Sequence, residues 1–385
     1  MDLQKDIKYI GVNDHDIDLF EGQYEVPNGM AYNSYVILDE KVAVIDTVDA
    51  RKGDEWMANL TTALDGKTVD YLIVQHMEPD HSANIVAFTE KYPTAKIVAS
   101  AKAFAMMKNF FGTDFDGKQV VVGEGSTLCL GKHNLTFITA PMVHWPEVIM
   151  TYSEKDKTLF SADAFGKFGA LDYDDPEGWA CEARRYYFGI VGKFGAQVQA
   201  VLKKVASFDI AKICALHGPV LDDNIKYYLD TYNTWSSYGV ESEGVAIFFT
   251  SVYGHTKTAV EKLAQMLIDK GCPKVVVNDL AREDIYECVE DTFRYGKIVL
   301  ATTTYNGGVF PKMKEFIEHL AERNYQNRKI AFIENGSWMP AAAKGMTNLL
   351  EGFKDITYAE SKVTIKTSVT EETETALLQL ADELK

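Results

Sequence analysis

Four ionisable side chains, His76, Glu78, Asp80 and His81, fall within six positions directly after the apolar run Tyr71 to Gln75. Three more, His144, Asp163 and His217, each follow another apolar, strand-like run. Four such groups crowded at a strand end repel one another and pay a desolvation cost unless a cation compensates them. Imidazoles mixed with three carboxylates can hold two divalent cations, one carboxylate bridging them. Hard oxygen donors with imidazole suit iron or manganese, whereas an imidazole-dominated tetrahedral set suits zinc. No cysteine stands near the cluster, which removes the softest-ligand sites. The set takes four of the eight histidines; the others are His15, His133, His255 and His319.

A second group of residues points to anion and ring binding. Ser251, Tyr253, Gly254, His255 and Thr256 lie in a loop that follows one strand and opens a helix. Hydroxyls, a glycine and the N–H groups of a helix N-terminus make a cradle for an anion. Two further loops stand after later strands: Thr303, Thr304, Tyr305, Asn306 and Gly307, then Gly336, Ser337, Trp338 and Met339. Both combine glycine and small polar residues with an aromatic side chain, a composition that lets a planar ring approach and stack. One such loop is ordinary turn chemistry; three after three parallel strands are not. No G-x-G-x-x-G fingerprint follows a strand.

The elements that must hold these loops are legible in outline. Ser34 to Leu38 and Val42 to Thr47 flank a polar turn and predict a hairpin. Apolar residues at helical spacing predict a helix over Arg51 to Leu64. A strand at Lys96 to Ser100 leads into a helix over Ala101 to Phe110, and Leu135 to Ala140, Val148 to Tyr152, Thr158 to Ser161 and Ile213 to Leu216 are strand-like. Tyr238 to Gly244 is small and polar, a linker by composition. Beyond it the pattern becomes regular βα alternation: strands at Val245 to Thr250, Lys274 to Asp279, Lys297 to Ala301, Lys329 to Ile333 and Lys362 to Lys366, with helices between them and over Glu371 to Leu384. That predicts a parallel, doubly wound sheet. Two domains are expected, 1–240 and 245–385.

Composition bounds the rest. The chain has 385 residues, 46% hydrophobic and 25% charged, with a formal net charge of -17, which argues against a nucleic-acid binder. Its five cysteines form no CxxC pair, so a reducing, cytoplasmic setting is expected. The polar start Met1 to Asp6 lacks an apolar signal core, and no apolar run approaches membrane-spanning length.

The order His76, Glu78, Asp80, His81, then His144, Asp163 and His217, resembles the metallo-β-lactamase superfamily. Glu78, where its zinc hydrolases carry His, and the strings His144-Trp145-Pro146 and Asp163-Ala164-Phe165-Gly166 resemble the flavodiiron branch. The second half resembles flavodoxins, and its Ser-x-Tyr-Gly-x-Thr string is similar to an FMN phosphate loop, with His255 where Asn is common. The resemblance covers essentially the whole chain. It implies a metallo-β-lactamase-like αββα sandwich followed by a flavodoxin-like sheet. It implies one iron on His76, Glu78 and His144, a second on Asp80, His81 and His217, and Asp163 bridging, with no catalytic residue beyond these ligands. In some members the His81 position is not a ligand. Some also carry a second-shell His in the stretch where this chain has Glu21.

The activity so implied is reduction of O2 to water, of NO to N2O, or both, at a non-haem diiron site. FMN would relay electrons from a separate donor, a rubredoxin-like protein or reduced coenzyme F420. A head-to-tail homodimer, or a dimer of dimers, would bring one subunit's flavin beside the other's irons. The alternatives are a zinc-dependent hydrolase with an accessory flavodoxin domain, which Glu78 opposes, and a non-enzymatic electron carrier or sensor, which the complete ligand set opposes.

Overall fold

A computed structural model of the chain describes residues 5–385; the stretch Met1 to Gln4, read above for its lack of a signal core, lies outside the described residues. Two compact units meet between Asn233 and Thr234. The segment read as a linker is built into the second unit. The indole of Trp235 donates to Glu241 at 2.6 Å, and the buried guanidinium of Arg328 donates to the carbonyls of Tyr238 at 2.7 Å and Gly239 at 3.0 Å. Polar composition suggested a free tether; a distant arginine instead takes up its backbone carbonyls.

The first unit is an αββα sandwich. One sheet has the spatial order Ile7–Tyr9, Tyr35–Leu38, Val42–Ile45, Tyr71–Ile73, Lys96–Ser100, Gln119–Val122. The other runs Thr127–Cys129, Asn134–Thr139, Ile149–Ser153, Thr158–Phe160, Lys212–Cys214. Ile37, Ile45, Ile73 and Val98 of the first meet Leu135, Phe137, Ile149 and Phe160 of the second in one core. The predicted hairpin is present and antiparallel, Tyr35 opposite Ile45. The predicted helix spans Gly53–Leu64 and buries Trp56, Leu60, Ala63 and Leu64, a stripe at helical spacing. The helix Ala101–Phe111 begins where Ser100 accepts the N–H of Ala103 and ends at Gly112 with φ 72. Composition did not reveal the short pairs Val12–Asp14 with Met30–Tyr32 and Leu19–Phe20 with Tyr24–Glu25, because two or three residues are too few to show a period. The helices Trp179–Tyr186, Gly195–Val205 and Ile225–Ser236 were likewise unread.

The second unit is a parallel sheet in the order Val275–Asp279, Ser242–Phe249, Tyr295–Tyr305, Lys329–Asn335, with Thr357–Tyr358 and Val363–Ile365 both pairing with Lys329–Asn335. Counted along the chain this is 2-1-3-4-5, the flavodoxin-like doubly wound order. The run Val245 to Phe249 is buried throughout, as a central parallel strand covered on both faces must be. The last helix spans Glu371–Leu384 as read; Thr370 caps it and three glutamates occupy its first turn.

Candidate metal centre and flavin cleft

The C-terminal ends of adjacent strands deliver the seven first-unit side chains to one place. The backbone at the first of them is fixed before the side chains are considered. Buried Asp46 accepts the N–H groups of Gln75 at 2.8 Å and His76 at 3.3 Å through one oxygen. The turn Pro79–Ser82 then places Asp80 and His81 on its inner side.

One set gathers His76, Glu78, His144 and Asp163. His76 Nε2 lies 3.3 Å from His144 Nε2, 3.4 Å from Glu78 Oε2 and 3.2 Å from Asp163 Oδ2. His144 Nε2 lies 3.0 Å from the same Glu78 oxygen and 3.1 Å from the same Asp163 oxygen. A second set gathers Asp80, His81 and His217. His81 Nε2 is 3.1 Å from His217 Nε2, 3.2 Å from Asp80 Oδ2 and 3.2 Å from Asp163 Oδ1. Asp163 therefore turns one oxygen to each set.

The donor atoms fit two cations and little else. His76 Nδ1–H donates to Glu147 Oε1 at 2.8 Å, and His217 Nδ1–H donates to the carbonyl of Ala31 at 2.7 Å. A carboxylate and a carbonyl only accept, so both rings carry a proton on Nδ1 and turn Nε2, the atom that can bind a cation, to the site. Both oxygens of Asp163 and both of Asp80 are buried with no hydrogen-bond partner. Atoms spaced as these are around a common centre lie about 2 Å from it, the nitrogen and oxygen distance of first-row divalent ions. Charge tells the same story. Burial disfavours a charged His76, yet Asp163, Glu147 and Glu78 outweigh it and hold the ring well above the ordinary imidazole value. His144, disfavoured by the same burial, is pushed up to about 9 by Asp163 and Glu78. Burial, with Glu78 and Asp163 beside it, lifts Asp80 to about 7 against the pull of His81. These are protons standing in for missing positive charge, and a cation displaces them.

The surroundings are aromatic. Phe20, Tyr186 and Tyr32 stand 5.4, 5.4 and 5.9 Å from the His217 ring, and Trp145 lies 5.3 Å from His76. The carboxyl of Glu21 faces Glu78; desolvation there and the Glu78 charge push it up to about 7. Sequence reasoning did not find Glu147, Asp46 or Ala31. Glu147, three positions after His144, was within sight of the motif; a backbone carbonyl leaves no trace in residue types.

In the second unit a cleft of about 420 Å³ opens over three strand ends, within the range of a cofactor site. Ser251, Tyr253, His255, Thr256, Thr303, Thr304, Tyr305, Asn306, Gly307, Gly336, Ser337, Trp338 and Met339 line it, together with Val252 and Asn335 of the same loops and with Thr367, which sequence reasoning did not name. Gly254 stands outside the lining; it serves the loop, with φ 89 and its N–H donated to Ser251 Oγ at 3.1 Å. Asn335 ties two of the loops, donating to Thr256 Oγ1 at 3.4 Å and to the Thr367 carbonyl at 3.0 Å. Thr304 Oγ1 accepts the N–H groups of Ala341 and Ala342. Thr303 Oγ1 is buried without a partner, and Tyr253 and Trp338 are 89% and 90% exposed. A cleft lined by an unpartnered hydroxyl and two uncovered aromatic side chains fits a planar, polar-edged ring.

Comparison with known proteins agrees on both units. Residues 30–218 match the ODP family beta lactamase and residues 246–358 a flavodoxin domain. The anaerobic nitric oxide reductase flavorubredoxin of Vibrio vulnificus is 29% identical over 347 residues, 87% of this chain and 70% of that protein. The structure of rubredoxin oxygen:oxidoreductase from Desulfovibrio gigas superposes with a TM-score of 0.90 at 25% identity, covering 100% of this chain and 97% of that one. The flavodiiron protein from Giardia intestinalis superposes with a TM-score of 0.91 at 25% identity, covering 98% and 95%. With a lactamase-like unit that converges seven metal-type donors and a flavodoxin-like unit that opens a ring-binding cleft, the chain is similar in both units to the flavodiiron proteins.

Proposed function

We propose that this chain is an oxidoreductase that reduces O2 to water, NO to N2O, or both, at a diiron pair held by His76, Glu78, Asp80, His81, His144, Asp163 and His217. The observation that carries the reading is Asp163, fully buried, with its two unpartnered oxygens divided between the two donor sets. Two ferrous ions and a two-electron flavin would together supply the four electrons that turn O2 and four protons into two waters; two NO need two electrons and two protons to give N2O and one water. The residues do the rest. Asp163 sets the spacing of the two positions, Glu147 and the Ala31 carbonyl orient His76 and His217, and Phe20, Tyr186 and Tyr32 present an apolar wall suited to a small uncharged gas. Glu78 supplies a hard oxygen where a zinc hydrolase would place a third imidazole, which disfavours the hydrolase alternative.

FMN is the cofactor assigned to the 420 Å³ cleft, its phosphate at the Ser251–Thr256 loop and its ring between the loops of Tyr305 and Trp338. The donor is a separate electron carrier, rubredoxin-like or reduced F420. The assembly we favour is a head-to-tail homodimer, alone or doubled, because Tyr253, Trp338 and Met339 leave an uncovered apolar rim. A cytoplasmic setting accords with five free cysteines, Cys129 among them exposed. Among the described residues no helix is long and apolar enough to cross a membrane.

The test is anaerobic purification with iron and FMN quantified, followed by O2 and NO uptake by the reduced protein. Two irons and one FMN per chain with uptake of either gas are expected; zinc with lactam or thioester turnover and no gas uptake would overturn the reading.

A further inference from the structure

The two metal positions have nearly mirrored ligands: each offers two imidazoles, one terminal carboxylate and one oxygen of Asp163. They differ in what stands behind the imidazoles. Behind His76 is a carboxylate. Glu147 Oε1 accepts His76 Nδ1–H at 2.8 Å and the N–H of Met77 at 2.8 Å, while Oε2 is buried with no hydrogen-bond partner. Glu147 is 2% exposed, and among the described residues the one basic group paired with it is His76. Behind His217 is a neutral carbonyl, that of Ala31. Among the described residues none hydrogen-bonds His81 Nδ1, which is buried.

A buried anion that takes a ring proton in a hydrogen bond makes the opposite nitrogen a stronger donor and adds negative potential at the metal it faces. Both effects favour the higher charge on that metal. We infer that Glu147 makes the two positions inequivalent, so that the metal on His76, Glu78 and His144 is the one oxidised first. Glu147 is a positioning residue as well. It lies three residues after His144 and binds the chain at His76 and Met77, so it joins the two segments that supply this one position. Among the described residues no carboxylate joins the segments of Asp80, His81 and His217 in this way.

The inference rests on the proposed diiron reading, and its test separates the two. Wild-type protein, Glu147→Gln and Glu147→Asp are prepared with iron and FMN quantified, then titrated potentiometrically with the singly oxidised pair followed by electron paramagnetic resonance. Wild type is expected to lose its two electrons in two resolved steps. Glu147→Gln keeps an acceptor for both N–H groups and removes the charge, so its lower-potential step should move up and the two steps converge. Glu147→Asp keeps the charge and should retain resolved steps. Should Glu147→Gln bind less iron, selective loss of one iron per chain supports the inference and equal loss of both overturns it. A single unresolved two-electron step in wild type overturns it without any variant, as does unchanged step separation in an iron-replete Glu147→Gln. A wild type that holds FMN but no iron pair would instead sink the diiron reading itself.

Discussion

The first unit carries two histidine–carboxylate clusters at opposite ends of the same strands, and they resolve the same electrostatic problem in opposite ways. One is the candidate metal centre. The other surrounds His133, in the turns where the hairpins reverse. There His133 Nδ1 and the His133 N–H both meet Asp39 Oδ2, at 2.8 and 2.7 Å, and Nε2 lies 2.7 Å from Asp156 Oδ2. Lys155 pairs with Asp6 and stands 3.4 Å from His133 Nε2. The strand Asn134–Thr139, six residues long, separates the two ends by roughly 20 Å at ~3.3 Å per residue. By residue type both clusters look metal-binding, and both gather His and Asp within ligand distance. The difference is that a lysine ammonium, Lys155, stands at one, whereas among the described residues no lysine or arginine pairs with the other, where the Asp163 and Asp80 oxygens are buried with no hydrogen-bond partner. A site for an external cation is recognised by the compensation the chain withholds.

The sharpest way to break this contrast is to remove the withheld compensation's focus. Asp163→Ala deletes the one side chain shared by both positions. Iron content should fall from two per chain to near zero and gas uptake with it, while FMN stays at one per chain. Retention of both irons would show that the terminal ligands suffice and that the bridge was overvalued. Stripping the metals from wild type with a chelator is the next largest effect. A ligand present at a thousandfold its Kd stabilises by about 4 kcal/mol, so the first unit should melt several degrees lower when stripped, and iron should restore it. Identical melting with and without iron would mean that the centre is stable as protons and carboxylates alone.

Lys155→Met tests the other side. The pair is partly exposed, Lys155 at 32% and Asp6 at 27%, so its direct loss amounts to about 1 kcal/mol or less. The informative result is qualitative. Without the ammonium, Asp6, Asp156 and His133 become a set with unmet charge, and Mn2+ or Zn2+ should raise the variant's melting temperature more than that of iron-replete wild type. No differential response would show that acquiring a cation takes more than losing the internal one.

How much of this contrast was legible in the sequence depends on which atoms carry it. The seven donors at 76 to 217 were readable because each follows an apolar strand, and strand C-terminal ends converge in a layered α/β unit. The second unit's strands and loops were readable for the same reason, and its alternation is regular enough to place Glu371–Leu384 to the residue. His133 was assigned no role, since its partners Asp39, Asp156 and Asp6 come from three turns that only the facing of two sheets brings together. Glu147 and Asp46 escaped because each acts through another residue's backbone or ring. The tie that holds 238–244 was not legible because its partner, Arg328, lies some ninety positions later in the chain.

The smallest effect separates the clusters by pH. Burial alone would raise the carboxyl of Asp39, but the hydrogen bonds from His133 and the N–H of Glu40 reverse this and lower it to about 2. A carboxyl lower in the folded than in the unfolded chain stabilises above its ordinary value near 3.8 and loses that contribution as pH falls through the folded value. Asp39→Asn should therefore be less stable than wild type at pH 6, and the gap should close as pH drops from about 4 to about 2. The metal centre gives way earlier. Protons compete with the cation for its imidazoles, so iron should be released at a pH where the Asp39 contribution is still intact. Acid titration with iron release and melting temperature followed together resolves the two. Coincident transitions would mean that both clusters are compensated by protons in the same way, and the distinction drawn between them would fail.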